Sequence, residues 1–208
     1  MATFEEMQNR IADDLNRTDL TTQIRKAINR AVEFYEKERF WFNESVWSFS
    51  SSDGVEEVSF SSALTTDVFE RDIVTLTRSA TDIYPLDEIT FQELRRIATS
   101  GTSNSQGPPS RYATFNNRWF FYPVPDSNYV LHVYGQKGYA TLSASGDTND
   151  FTTDAEDLIE ARARWWLYAR VLKDMPNATV AKTEEIEALQ SLRSKSTSRI
   201  STGRVKPG

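Results

Sequence analysis

EFYEKERFWFNESVWSF, residues 33–49, is where the chain changes character. Up to Trp41 the apolar residues recur every three or four positions, which predicts a helix over 20–41. From Trp47 the period drops to two: Trp47 and Phe49 alternate with Ser48 and Ser50, which predicts a strand. Phe40, Trp41 and Phe42 lie at the handover. Successive helical residues are about 100° apart, so three in a row cannot all face one core. Ligand site, core and partner face are all open readings of such a patch. The pattern favours a joint core with one edge left for a neighbouring subunit.

Downstream, Val58 and Phe60 repeat the alternation after SSDG, and Asp-Gly is the favoured dipeptide of a two-residue hairpin turn. That turn would set Phe49 opposite Val58 and Trp47 opposite Phe60, all on one face. Upstream, Thr3 and Glu6 form the signature of a capping box, and Phe4, Met7, Ile11 and Leu15 form an apolar stripe. Two N-terminal helices in an antiparallel hairpin are expected. Further on, the sequence predicts a strand at 72–78, a short helix at 89–98, and a mobile Gly/Ser/Pro-rich loop at 99–110. A three-stranded meander over 111–135 follows, turning at Asn116-Asn117. A helix capped by Thr153 and Glu156 comes next, with Leu158, Ala161, Trp165, Ala169 and Leu172 as its stripe. The last helix starts at Met175-Pro176-Asn177, anchored by Ile186, Leu189 and Leu192. From Ser194 the chain is small, polar and basic, too poor in apolar side chains to repay its own ordering. The expected fold class is α+β. Helices from 1–42 and 153–193 form a bundle, an inserted β-rich hairpin and meander region, 43–152, projects from it, and an extended, disordered basic tail occupies 194–208.

The 208 residues contain no cysteine, which removes disulfides and thiol chemistry. No run of eighteen apolar residues occurs, and the start lacks the n- and h-regions of a signal peptide. Charge is unevenly placed. Residues 1–187 carry 19 basic against 30 acidic side chains, a net of −11, while Arg193, Lys195, Arg199, Arg204 and Lys206 make the remainder +5. An acidic body is a poor general phosphate binder. A basic tail suits nucleic acid or an acidic protein surface equally.

Catalytic signatures are scarce. The single imidazole, His132, alternates in a strand with Val130 and Tyr134 and reads as a sheet residue. No nucleophile elbow, phosphate loop, dinucleotide fingerprint or zincin motif accompanies it. Glu33, Glu36, Glu38 and Glu44 lie near the aromatic patch, so a carboxylate pair acting on cell-wall glycan is the alternative to a structural role. Asp147, Asp150, Asp154, Glu156 and Asp157 do not follow calcium-loop spacing. No metal or cofactor is expected. Trp119-Phe120-Phe121-Tyr122 places rings on both faces of one strand, which reads as core plus subunit interface. A nucleic-acid platform would want them interleaved with Lys and Arg.

Three segments resemble one family. IADDLNRTDLTTQIRKAINRAVEFYEKERFWFNE (11–44), FYPVPDSNYVLHVYG (121–135) and DLIEARARWWLYARVL (157–172) are similar, in order and pattern, to head-to-tail adaptor proteins of tailed phages, especially short-tailed ones. The resemblance implies a structural, non-enzymatic virion protein at the head–tail junction, made in the host cytoplasm. Such adaptors form a ring, usually of twelve copies, on the portal. They extend the channel through which DNA passes without specific binding, and they carry the tail tube or nozzle. No membrane is involved. On this reading Arg193, Lys195, Arg199, Ile200, Arg204, Val205 and Lys206 bind the portal. Phe40, Trp41, Phe42, Trp119 and Phe121 are shared between the helix-to-sheet joint and core on one side and a subunit interface on the other, and Ser103, Asn104, Gln106 and Pro108 meet the tail.

Overall fold

The computed structural model describes residues 2–60, 68–100 and 105–201. The fold is α+β, and the chain divides into a helical unit, residues 1–43 and 139–208, and a sheet unit, Glu44–Gly138.

In the helical unit, α1 (Phe4–Leu15) begins at the expected capping box: Glu6 N–H donates to Thr3 Oγ1 at 3.2 Å and Thr3 N–H to Glu6 Oε2 at 2.8 Å. Its stripe of Phe4, Met7, Ile11 and Leu15 is buried as expected, and Asn16 closes it in the left-handed region, as asparagine tolerates. Helix α2 (Thr21–Tyr35) buries Ile24, Ala27, Ile28, Ala31, Val32 and Tyr35. It stops six residues before the expected end at 41. The cause is Asn43, which is fully buried: its Oδ1 accepts from Phe40 N–H at 2.9 Å and its Nδ2 donates to the Glu38 carbonyl at 2.7 Å. An asparagine side chain offers the backbone an alternative to helical bonding, and here it folds 38–43 into a turn.

The second half of the unit starts four residues earlier than the sequence suggested. Asn149, not Thr153, is the N-cap, in a reciprocal box with Thr152. The short α4 (Asp150–Asp154) breaks at Ala155 before α5 (Glu156–Trp166). Glu156 therefore does not cap; it pairs with Arg10. A π-helical segment, Leu167–Leu172, ends at left-handed Lys173, and α6 (Met175–Ser201) follows. Helix α6 corrects two expectations. Ile186 is 46 % exposed, and the buried face is Ala178, Ala181, Glu185, Leu192 and Ser196. The helix also runs beyond 193 to Ser201, so the stretch expected to be extended and disordered is helical that far. Buried Leu192 and Ser196 continue the packed face, and Arg193 and Arg199 find partners on the 36–43 turn.

The sheet unit is two four-stranded sheets packed on one core. The strands are β1 (Glu44–Ser50), β2 (Glu57–Ser59), β3 (Val68–Ser79), β4 (Asp82–Pro85), β5 (Asp87–Glu88), β6 (Arg111–Phe115), β7 (Arg118–Tyr122) and β8 (Val130–Lys137), with α3 (Phe91–Ser100) packed on the outside of the second sheet. The orders are β1-β8-β3-β4 and β2-β7-β6-β5. The β1–β2 hairpin does not form. Trp47 lies opposite Val133 and Phe49 opposite Leu131 on β8, while Val58 lies opposite Trp119 on β7. The Asp53-Gly54 turn is present, with Gly54 at φ +70°, but the backbone around it bonds to the β7–β8 connection. Ser51 N–H donates to the Tyr129 carbonyl at 2.9 Å and Gly54 N–H to the Pro125 carbonyl at 2.8 Å. Alternation fixes which face a residue takes, not which strand lies beside it. Trp47, Phe49, Val58 and Phe60 accordingly do share one core, from opposite sheets. The meander is likewise split. β6 and β7 make the expected hairpin through Asn116 (φ 49°) and Asn117 (φ 57°), but β8 belongs to the other sheet. Gly135 on β8 is required by contact: a Cβ there would run into the Glu70 backbone at the β3 bulge.

The stretch expected as a mobile loop, 99–110, is helical to Ser100, and its far end is pinned. Gln106 bridges to Val124, Gly107 N–H donates to the Val124 carbonyl at 2.9 Å, and Gly107 and Pro109 are buried.

Candidate partner-binding site

The aromatic turn sits on the core of the helical unit. Phe40 and Phe42 stack at 5.2 Å, both meet Phe151 edge-on, and both are buried. Trp119 and Phe121 are fully buried between the sheets. These four are core side chains, which matches the core half of what was expected of both aromatic runs and leaves the interface half to Trp41. Trp41 is the exception, half-buried at the edge of the patch. The Arg199 guanidinium lies 4.4 Å from its ring centroid, a cation–π contact. One helical stretch earlier, Arg193 Nη2 donates to both Glu38 oxygens at 2.9 Å. The basic end of α6 is thus folded onto the 36–43 turn, with Lys195 exposed beside it. Arg204, Val205 and Lys206 lie outside the described residues, as do the Ile200 side chain and Ser103 and Asn104. Of the expected tail-contacting residues, Gln106 is exposed and Pro108 half-buried.

Sequence reading missed a polar node inside the helical unit. Glu185 is 1 % exposed. It accepts from Tyr35 Oη at 2.5 Å and from Arg162 Nη1 at 3.1 Å, and Lys182 Nζ lies 2.9 Å away. Burial pushes the Tyr35 phenol well above its ordinary range, and its bond to the Glu185 carboxylate adds to that. Nothing in the spacing of α6 marked a glutamate as the buried residue.

Several of the carboxylates considered for chemistry have structural partners. Glu38 holds Arg193, and Asp147 Oδ2 accepts from the backbone of Ser143 and Ala144, each at 2.7 Å. Asp150 accepts from Tyr139 Oη at 2.8 Å. His132 Nδ1 is 2.7 Å from Ser48 Oγ, its neighbour across β1 and β8. Among the described residues, no group of three or more His, Asp and Glu side chains has metal-binding geometry.

Among the described residues, Glu160 is the one carboxylate shifted toward neutrality, to about 7. Burial raises it, partly offset by Arg10, whose Nε is 3.0 Å away without a well-directed hydrogen bond. Its folded value lies above the ordinary glutamate range, so the folded state takes up the extra proton. Stability should therefore fall as pH rises from about 4.5 to 7, by on the order of 2–3 kcal/mol for this group. Glu160→Gln should flatten that decline in denaturant titrations run across this range. An unchanged slope would contradict the assignment.

A family model for SU10 adaptor proteins matches residues 2–207. No curated protein matches the chain.

Proposed function

Because the chain belongs to the SU10 adaptor family, and thus to the phage head-to-tail adaptors, we propose that it docks on the portal as a closed ring of about twelve copies. In that place it extends the DNA channel and presents the platform for the tail tube or nozzle. The observation that carries the reading is the match over 2–207, which takes in both units. An acidic body supports it: with 30 acidic against 19 basic side chains in residues 1–187, a channel wall built from this chain has little electrostatic hold on DNA.

The portal contact is assigned to the basic C-terminus. Arg193 and Arg199 have partners in their own chain, so the contact is placed on Lys195 and on Arg204, Val205 and Lys206, which lie outside the described residues. Paired arginines on acidic portal residues would give the strong, charge-assisted bonds such an attachment needs. A chain ending after Ser201 keeps helix α6 whole. It should fold with unchanged helicity and lose loading onto purified portal rings in a native gel by at least tenfold. Equal loading would remove the tail from the contact. A wall-degrading role has no observation in its favour, since the carboxylates nearest the aromatic turn are engaged: Glu38 with Arg193, and Glu36 with groups of its own.

A further inference from the structure

We propose that copies of this chain join through two unlike faces of the helical unit: a cation–aromatic face on α2, α5 and α6, and an acidic face on the far side of α5 and α6. The inference rests on the ring reading above and names the surfaces that would build the ring.

The first face is a ladder of rings and cations. The Arg162 guanidinium lies 3.9 Å from the Phe34 ring centroid and 4.4 Å from that of Trp165. Lys182 Nζ lies 5.5 Å from the Trp165 centroid, and Arg30 covers Trp166 at 5.1 Å. Phe34 is 48 % exposed, although it heads an otherwise well-packed seam. Below the ladder, Arg162 and Lys182 both reach buried Glu185, so their positions are set before any partner arrives. Exposed aromatic rings and arginine held rigidly are the composition of an interface centre, and such preorganisation lowers the cost of binding.

The second face carries Asp154 and Asp157, both exposed, with Lys195 the basic group beside them. Glu156 also lies here, paired with Arg10. Asp157 precedes Trp166 by nine residues, about two and a half helical turns, which places the two on opposite sides of α5.

A second copy is the occupant that charge favours. The body is strongly acidic, so two copies repel unless the cationic face of one meets the acidic face of the other. Nucleic acid fits the first face less well. Arg162 and Lys182 share one carboxylate, Glu185, and Arg30 is a third cation, so the face stays positive toward an acidic copy but lacks the long row of cations that a backbone-binding platform needs. Because the two faces are unlike and lie on opposite sides, each contact leaves one of each unused. That arrangement repeats, closing into a ring or continuing as a chain.

The native chain has no cysteine, so single thiols report contacts without ambiguity. Ile186 is exposed and follows Lys182 by one turn of α6, so it marks the first face. Full-length Ile186→Cys and Asp157→Cys chains, mixed equally and treated with a short bismaleimide, should cross-link to each other at least tenfold more than either does to itself. The comparison is made in free solution and on portal rings. Arg30→Glu in the Ile186→Cys chain should cut that yield at least tenfold, and Asp154→Lys in its partner should restore it. Self-links equal to mixed links, or yield indifferent to Arg30→Glu, would overturn the proposal. If mass photometry shows assembly but the two thiols never meet, this pairing of faces is wrong and ring assembly stands. If the chain assembles neither free nor on portals, the ring reading falls as well.

Discussion

Replacing Trp119 with alanine should destabilise the sheet unit by about 3–5 kcal/mol, the largest loss expected from any single truncation between the sheets. Trp119 is fully buried, and its ring lies 5.6 Å from Phe49, 5.2 Å from Phe60 and 5.3 Å from Tyr112, so it touches both sheets. The Arg71 guanidinium covers it at 5.0 Å. Its removal leaves a hole that two hydrogen-bonded sheets cannot close without shifting register. Trp119→Phe should cost only about 1–2 kcal/mol, because it keeps the ring stack and removes an indole N–H that has no partner. The check is hydrogen exchange with denaturant titration. Protection should collapse across 44–138 in the alanine variant while α1 and α2 keep theirs. An alanine variant within about 1 kcal/mol of the parent would mean that the ring does not hold the sheets together.

The second large effect lies in the helices. Glu185→Ala should cost about 3–5 kcal/mol, because it strands three groups at once: the Tyr35 hydroxyl, the Arg162 guanidinium and the Lys182 ammonium. The magnitude comes from leaving a part-buried charge unpaired rather than from the worth of the ion pair. Tyr35→Phe removes a single bond and should cost about 1 kcal/mol. Combining it with Glu185→Ala should add little, since the hydroxyl has already lost its partner. A double-mutant cycle on thermal unfolding measures this directly. Full additivity would show that Tyr35 and Glu185 are not coupled.

Much of the fold was legible where local chemistry is self-contained. The Thr3–Glu6 capping box, the stripe of α1 and the Asn116-Asn117 hairpin depend on residues a few positions apart, and all stand in the structure. What failed depends on distant partners. Trp47 and Phe49 declared their face but not that β8, eighty residues on, would lie beside them. The end of α2 was hidden because a single side chain, Asn43, diverts the backbone. On helix α6 the expected Leu192 is buried and Leu189 packs against the core, but Ile186 is exposed, because the inward place beside it is taken by Glu185, whose partners come from α2 and α5. The aromatic turn at 40–42 is core for Phe40 and Phe42 and edge for Trp41, which the arithmetic of successive residues anticipated in kind though not in mechanism. The cation–aromatic ladder had no linear signature, since Phe34, Arg162 and Lys182 meet only in the folded unit.

The account turns on attachment to a portal. Electron micrographs of purified portal rings, taken with and without the full-length chain, test this most directly. An added ring of density is expected on one end of the portal, sharing its rotational symmetry. Portals that remain bare at saturating concentrations of the chain would contradict it.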